Sequence, residues 1–366
     1  MRTIGSEETQ DGPDDAEGQL ARTQTFAALV VACLVIATVA IALTLERPDT
    51  EVERSTWAFD MVQLEQAREM GLTGEGVRVG IVDTGLDMDH PCMDGLRLVA
   101  WLDLVHGRKE PYDDLGHGTA MTSIIAGRSP LRGGAPDVEV IAVKVLDEDN
   151  PFSDEIVADG IDFCMDPDGN GDYTDGADIV SLSLGGDYED IDILIGTRTQ
   201  AAIAQAVANG VVVVAAAGND GSAEDVTLPA RFPKVISVGA VDKRGQTAPF
   251  SSRGNVSVER PDPDKKPELV APGVDIVTAH VGGLYAKGSG TSHATAMVSG
   301  VLAAALSFAP EMLRDGANGG NETSVRSIKM ALMETALPLE GQATPHDAKA
   351  GYGLVQAVDL AIELRG

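Results

Sequence analysis

Gly288-Ser-Gly-Thr-Ser-His-Ala-Thr-Ala-Met-Val-Ser-Gly300 joins a glycine-rich turn to a run of small apolar residues that reaches Phe308. Ala, Met, Val and Leu fall on every side of the helical wheel, so the run predicts a helix buried all round and stopped by Pro310. Ser292 stands at its entrance, where a serine is ordinarily no more than a cap. The first-turn backbone N–H groups have no partner inside such a helix and face whatever approaches. Whether Ser292 does more depends on what the rest of the chain delivers to the same place.

Strands and helices alternate through most of the chain. Val77-Arg-Val-Gly-Ile-Val82, Val138 to Val145, Ile179 to Leu184, Val211 to Ala217 and Val235 to Val241 read as strands. Around them, Met61 to Met70, the stretch after Thr119 through Ala126, Asp154 to Cys164, Thr197 to Asn209 and Val325 to Glu334 read as helices, with Gly71 and Gly210 as C-caps. This order predicts an α/β domain with a mostly parallel central sheet and helices on both faces.

Several of these elements deliver polar side chains to their ends. Asp83 closes the first strand, at the carboxyl edge where open α/β sheets place ligands; Asp87 and Asp89 are rival carboxylates in the following loop. His117 lies between two glycines that let the backbone come close and leave the ring unobstructed, although a lone histidine is more often a hydrogen-bonded structural group. Asn219 follows the Val211 to Ala217 strand, either as a turn former or as an amide donor into a site.

Asp166-Pro-Asp-Gly-Asn-Gly-Asp172 places Asp166, Asp168, Asn170 and Asp172 at alternate positions, with Gly171 at the turn, and so matches the first half of a calcium-binding loop. Ala177 stands where that loop carries a bidentate Glu, leaving Asp175 or Asp178 as substitutes. An Asx-rich turn is the other reading. The expected cofactor is a structural Ca2+.

Composition narrows the classes of partner. With 27 Lys plus Arg against 57 Asp plus Glu, the net charge is -30, which repels phosphate backbones and argues against nucleic acid. No glycine cluster forms a phosphate loop or a dinucleotide-binding turn. Cys33 lies in an apolar run, leaving Cys92 and Cys164 either as a pair or as buried thiols.

That apolar run, residues 23–45, carries no charge and is long enough to cross a bilayer. Residues 1–22 form a polar, acidic tail that reads as disordered. Arg2 and Arg22 on one side balance Arg47 and Arg54 on the other, so charge does not orient the span. A single N-terminal transmembrane anchor is expected; Ala40-Ile-Ala42 offers a signal-peptidase site and Val30-Val-Ala-Cys33 a lipoprotein box as alternatives. Residues 46–56 then link the segment to a folded domain at 57–366.

Asp83, His117 and Ser292 occur in that order, with Asn219 between the last two. The residues around them, Val82-Asp-Thr-Gly85, His117-Gly-Thr119, Gly134-Ala-Pro136, Ser183-Leu-Gly185, Ala217-Gly-Asn219, Val270-Ala-Pro-Gly273 and Gly290-Thr-Ser292, make the chain from about Trp57 resemble a subtilisin-family serine protease. The resemblance implies a subtilisin-like fold and serine endopeptidase activity. Ser292 would be the nucleophile, His117 its base and Asp83 the residue that orients the ring. Asn219 would join the Ser292 backbone N–H in the oxyanion hole.

By the same resemblance, Ser183, Leu184, Gly185, Ala217 and Gly218 would line the pocket for the residue preceding the scissile bond, with an apolar or broad preference. The implied partners are protein or peptide substrates. The protein is expected to be a monomer, held on the membrane through residues 23–45 with its catalytic domain outside the cytoplasm, or secreted after cleavage. Four departures stand out: His293 where the family has Met, Ala296 for Pro, Ala120 for a common His, and Asn150-Pro-Phe-Ser153 for glycine-rich sequence. His293 and the altered Asn150-Pro-Phe-Ser153 segment motivate an alternative, a catalytically silent, membrane-tethered peptide-binding pseudoprotease. An α/β-hydrolase esterase fits poorly, because Ala294 stands where its nucleophile elbow needs glycine.

Overall fold

The computed structural model describes residues 54–149, 153–185, 196–221 and 224–366. The expected membrane helix at residues 23–45, the acidic tail and Asn150-Pro-Phe lie outside the described residues. Among these residues, seven strands form one sheet in the order β2-β3-β1-β4-β5-β6-β7, comprising β1 (Arg78–Asp83), β2 (Arg97–Asp103), β3 (Glu139–Lys144), β4 (Ile179–Leu182), β5 (Val212–Ala216), β6 (Ile236–Val241) and β7 (Leu269–Pro272). Every neighbouring pair in it is parallel.

The strands are near-continuous runs of buried residues, as a parallel sheet covered on both sides requires. The register identifies the two faces. A Cβ at Gly80 would come within 2.6 Å of Cys164 Sγ, so this face of β1 meets the helix α4 (Asp154–Met165). Gly160 of α4 approaches Val82 and Val143 on that same face. Ser181, paired in register with Ile81, points the other way and accepts a 3.0 Å hydrogen bond from Ser299 Oγ of helix α6 (Thr291–Phe308). The expected helix-covered parallel sheet is therefore what forms.

Helix α6 is buried along nearly its whole length, packing against β4 to β7 on one side and against α3 (His117–Ala126) and α8 (Ala357–Arg365) on the other. Its length and hydropathy would suit a membrane span, but 89% of the span is buried inside the domain, which makes it a core helix. Gly134 meets Gly300 so closely that a Cβ there would lie 3.1 Å from the Gly300 Cα. The small residues in this run are what let a helix sit inside the protein.

The remaining elements refine the expectations. The predicted helix Met61 to Met70 is two short helices, α1 (Thr56–Met61) and α2 (Leu64–Glu69), because Gln63 takes a left-handed conformation at φ 61°. Helix α5 (Thr197–Ala208) follows the predicted segment, and α7 (Glu322–Thr335) begins at an Asn321 capping box. A hairpin, β8 (Ile276–His280) and β9 (Leu284–Gly288), was not expected and leads directly into α6. Cys92 and Cys164 are both free and buried, so they do not form a pair.

Candidate active site

The order of strands reverses at β1: β3 and β2 lie to one side, and β4 to β7 lie to the other. The carboxyl end of such a strand opens a crevice, and Asp83 is the last residue of β1. Its Oδ1 accepts hydrogen bonds from the Thr84 N–H and from His117 Nδ1, both at 2.7 Å. Asp83 is buried, and the His117 side chain is 14% exposed.

His117 is the first residue of α3, and the helix start is tightly fixed. Gly116, at φ 88°, is the N-cap residue, and Asp113 accepts from the Leu115, Gly116 and Thr119 N–H groups. A Cβ at Gly118 would lie 2.1 Å from the Gly85 carbonyl oxygen, so only glycine lets α3 come this close to β1. Thr84 Oγ1 completes the join by accepting from the Gly118 N–H and donating to Asp113. Lys144, an ammonium buried in a sheet strand, donates to the Thr84 carbonyl, the Leu146 carbonyl and Asp114. Sequence reasoning passed over Thr84, Asp113 and Lys144 as supports; a lysine at the end of the apolar Val140 to Val145 run was the available signal.

Burial opposes charging of the His117 ring, but the Asp83 charge and hydrogen bond, helped by Asp113, outweigh it and raise its pKa. With Nδ1 committed to Asp83, Nε2 is the nitrogen left for a reacting partner.

Ser292 is not the cap that its position suggested. Gly290 is the N-cap residue of α6, and Ser292 occupies the second helical position, where its N–H has no intrahelical acceptor. Its hydroxyl donates to the Ser183 carbonyl at 3.0 Å, and Ser183 Oγ donates back to the Ser292 carbonyl at 3.2 Å. That exchange ties the end of β4 to the start of α6.

Asn219 comes off the end of β5, the strand next to β4. Its Oδ1 accepts from both the N–H and the hydroxyl of Thr291, at 2.8 and 2.9 Å. The amide is thereby oriented with Nδ2 away from Thr291 and free to donate. Thr291 Oγ1 also accepts from the Gly218 N–H, so one threonine fixes both residues; the sequence reading had no role for it.

Ser183, Leu184 and Ala217 are buried, and Gly185 and Gly218 are partly exposed on adjoining strand ends. Thr227 closes the gap between the two glycines: its side chain would meet a Cβ at Gly218 at 2.6 Å and one at Gly185 at 3.0 Å. It belongs with the expected lining.

His293 is buried, and among the described residues its Nδ1 has no hydrogen-bond partner. Burial, and secondarily the neighbouring His117, lower its pKa to about 3. The rings of His117 and His293 share a cavity of about 40 Å³ whose other walls include His280, Ala286 and Gly288 of the β8–β9 hairpin.

The acidic loop lies at the opposite edge of the sheet, between α4 and β4. Oxygens of Asp166, Asp168 and Asp175 lie within 4.8 Å of one another. Asp172, expected in the set, turns its Oδ1 to the Thr174 N–H instead. Asn170 donates its amide to Asp168, so its Oδ1 is the oxygen left, and that accepts from the Asp172 N–H. Asp178 is occupied by the Arg78 and Arg314 backbone N–H groups and is unavailable. Asp175 takes its place, with an Oδ1 that is buried and unpaired. That orphan acceptor beside two carboxylates suits a hard cation.

Residues 74–353 match the subtilase family. Serine protease AprX of Bacillus subtilis (strain 168) is 35% identical over 277 residues, which is 67% of this chain and 60% of that protein. The minor extracellular protease Epr of the same organism is 32% identical over 311 residues, 84% of this chain and 42% of Epr. Subtilisin DY of Bacillus licheniformis is 31% identical over 262 residues, 70% of this chain and 86% of that protein. The chain belongs to the subtilase family.

Proposed function

We propose that this chain is a serine endopeptidase in which Ser292 is the nucleophile, His117 the general base and acid, and Asp83 the residue that holds the His117 tautomer. The observation that carries the reading is the 2.7 Å hydrogen bond from His117 Nδ1 to buried Asp83, which leaves Nε2 as the nitrogen for proton transfer. Ser292 Oγ leaves the Ser183 carbonyl, gives its proton to His117 Nε2 and bonds to the substrate carbonyl carbon. The carbonyl π pair moves onto oxygen, where the Ser292 N–H and Asn219 Nδ2 receive it. Collapse expels the amine with the proton from His117, and water repeats the sequence to free the acid and Ser292.

Ser183, Leu184, Gly185, Ala217 and Gly218, with Thr227, form the acyl-side pocket in this reading; small walls admit apolar or varied side chains. Fluorophosphonate labelling tests it: wild type should label, and Ser292→Ala should not while melting normally. The silent peptide-binding alternative draws on the engagement of the Ser292 hydroxyl with Ser183, and it would win if folded wild type took no label.

Asp166, Asp168 and Asp175, with Asn170 adjacent, are proposed to hold a structural Ca2+, which would relieve their mutual repulsion and satisfy the Asp175 Oδ1. At a concentration 100 times its Kd, the ion would stabilise the domain by about 2.7 kcal/mol, roughly 5 °C in Tm. Unchanged melting with chelator and in Asp168→Ala would reject the site. An extracytoplasmic domain, anchored or released at residues 23–45, is consistent with the extracellular relative Epr. Protease shaving of intact cells checks it: loss of the domain supports this placement, and protection until lysis rejects it.

A further inference from the structure

His117 and His293 line one cavity, and the proposed reaction uses only one of these two histidines. His293 is 3% exposed, and its Nδ1 is enclosed without a hydrogen-bond partner. Buried polar atoms are rarely left that way, and each one calls for an explanation, a catalytic role among them. The position of the ring is built into the sequence around it. Its other nitrogen, Nε2, lies 2.3 Å from where a Cβ of residue 288 would be, so the ring fits only because that residue is glycine.

The surroundings of Nδ1 indicate what it serves. An ideal Cβ at Gly290 would touch Asn219 Nδ2 at 3.5 Å, His293 Nδ1 at 3.6 Å and Asn219 Oδ1 at 3.7 Å. Gly290 is extended at φ 165°, so its backbone does not demand glycine; without a side chain, a gap of about one methyl group remains between the two nitrogens. Because Thr291 holds Asn219 Oδ1, the Asn219 donor and His293 Nδ1 lie on the same side of Gly290 at the start of α6.

We propose that His293 is a third oxyanion-hole donor, its Nδ1–H acting beside Asn219 Nδ2–H and the Ser292 backbone N–H on the oxygen of the tetrahedral intermediate. This rests on the serine endopeptidase reading above. His293 keeps its proton throughout: it donates a hydrogen bond as the carbonyl π pair moves onto oxygen, while the Ser292 proton goes to His117. A neutral ring is the form that suits the place, since His117 becomes an imidazolium next to it during the same step. The strongly lowered pKa of His293 agrees with that form. Neutral imidazole donors are a known solution to carbonyl polarisation in enzymes.

The test compares His293→Met, which removes the N–H, with His293→Asn, whose amide nitrogen can stand where Nδ1 stands. Each variant is assayed for kcat and KM on a peptide amide, for inhibition by a peptide boronic acid that forms a tetrahedral adduct on Ser292, and for Tm. The Met variant should lose about 10- to 100-fold in kcat, with KM within about twofold. Boronate affinity should fall by a similar factor, and Asn should recover most of it. In an Asn219→Ala background the Met exchange should cost more than it does alone.

Boronate affinity unchanged by Met would overturn the proposal, as would a Met variant altered only in its preference for the residue after the scissile bond. Failure of Asn to restore kcat in a folded protein would also overturn it. If wild type took no fluorophosphonate label, the endopeptidase reading itself would fall, whereas a labelled wild type with unchanged boronate binding in the Met variant would sink this proposal alone.

Discussion

The two walls of the cleft carry the same side chain in opposite electrostatic settings. On the wall formed by β1 and α3, His117 has a carboxylate 2.7 Å from Nδ1, and its pKa is raised. On the wall formed by α6 and the hairpin, His293 has no partner on Nδ1, and its pKa falls to about 3. Burial pushes both rings toward neutrality; Asp83, helped by Asp113, reverses the outcome for His117 alone. The fold thus keeps an imidazole with a raised pKa and one with a lowered pKa side by side, with nearby carboxylates separating the two.

The largest effect should come from deleting the charged-partner ring. His117→Ala is expected to lower kcat by about 10⁶-fold, the magnitude measured for the equivalent deletion in subtilisin itself. His293→Ala should stay within about 100-fold of wild type, because it removes one donor and not the base. Equal losses in the two variants, measured as kcat on one peptide substrate, would break the contrast between the walls.

Next comes the carboxylate that creates the contrast. Asp83→Asn should cost about 10⁴-fold in kcat by favouring the wrong His117 tautomer. It also removes the charge that holds the His117 pKa up, so the acid limb of the kcat/KM profile, which reports neutral His117, should move to lower pH. An unmoved limb would mean that some other group sets this titration.

A smaller effect is expected where one wall is only being held in place. Thr291→Val removes the hydroxyl that donates to Asn219 Oδ1 but leaves the Thr291 backbone N–H bond intact. Of the two neutral hydrogen bonds lost, the one from the Gly218 N–H should lower Tm, and the one to Asn219, about 1 kcal/mol, predicts roughly a fivefold drop in kcat with KM little changed. A drop of 100-fold would show that the amide had swung out of register altogether.

The contrast also marks what could be read from the chain. The parallel sheet was legible because β1, β4, β5 and β6 are short runs of Val, Ile and Ala bounded by glycine or acidic residues, and burial on both faces leaves little else such runs can be. Strand β2 was missed because it lies at the sheet edge with mixed exposure, so its pattern is weak. The β8–β9 hairpin was missed for a related reason: each strand has five residues, and the pair stands apart from the main sheet.

Missing that hairpin hid half of the cavity and, with it, the surroundings of His293. Asp83, His117, Asn219 and Ser292 could be proposed from motifs because glycines mark their backbones. Thr291 and Thr227 act through distances that no local pattern encodes. Asp175 could replace Asp172 in the acidic cluster only once the 3-10 turn Tyr173–Asp175 had folded it back toward Asp166.

The smallest expected effect concerns stability, and it separates the histidines by sign. His293 binds protons near pH 6.5 when unfolded but only near pH 3 when folded, so the unfolded state takes up the proton first as pH falls. Its contribution is therefore complete above about pH 6.5 and is lost progressively toward pH 3. His117, with a raised pKa, behaves oppositely: its contribution is present below about pH 6.5 and is lost as pH rises through the folded value. His293→Met should consequently shrink the difference in Tm between pH 7 and pH 4, since Met takes up no proton in either state. His117→Gln should leave the Met-sensitive part of that difference in place. Thermal melts of both variants at the two pH values decide the matter, and an unchanged pH 7 to pH 4 difference in His293→Met would mean that the ring is charged, or reached by water, in the folded protein.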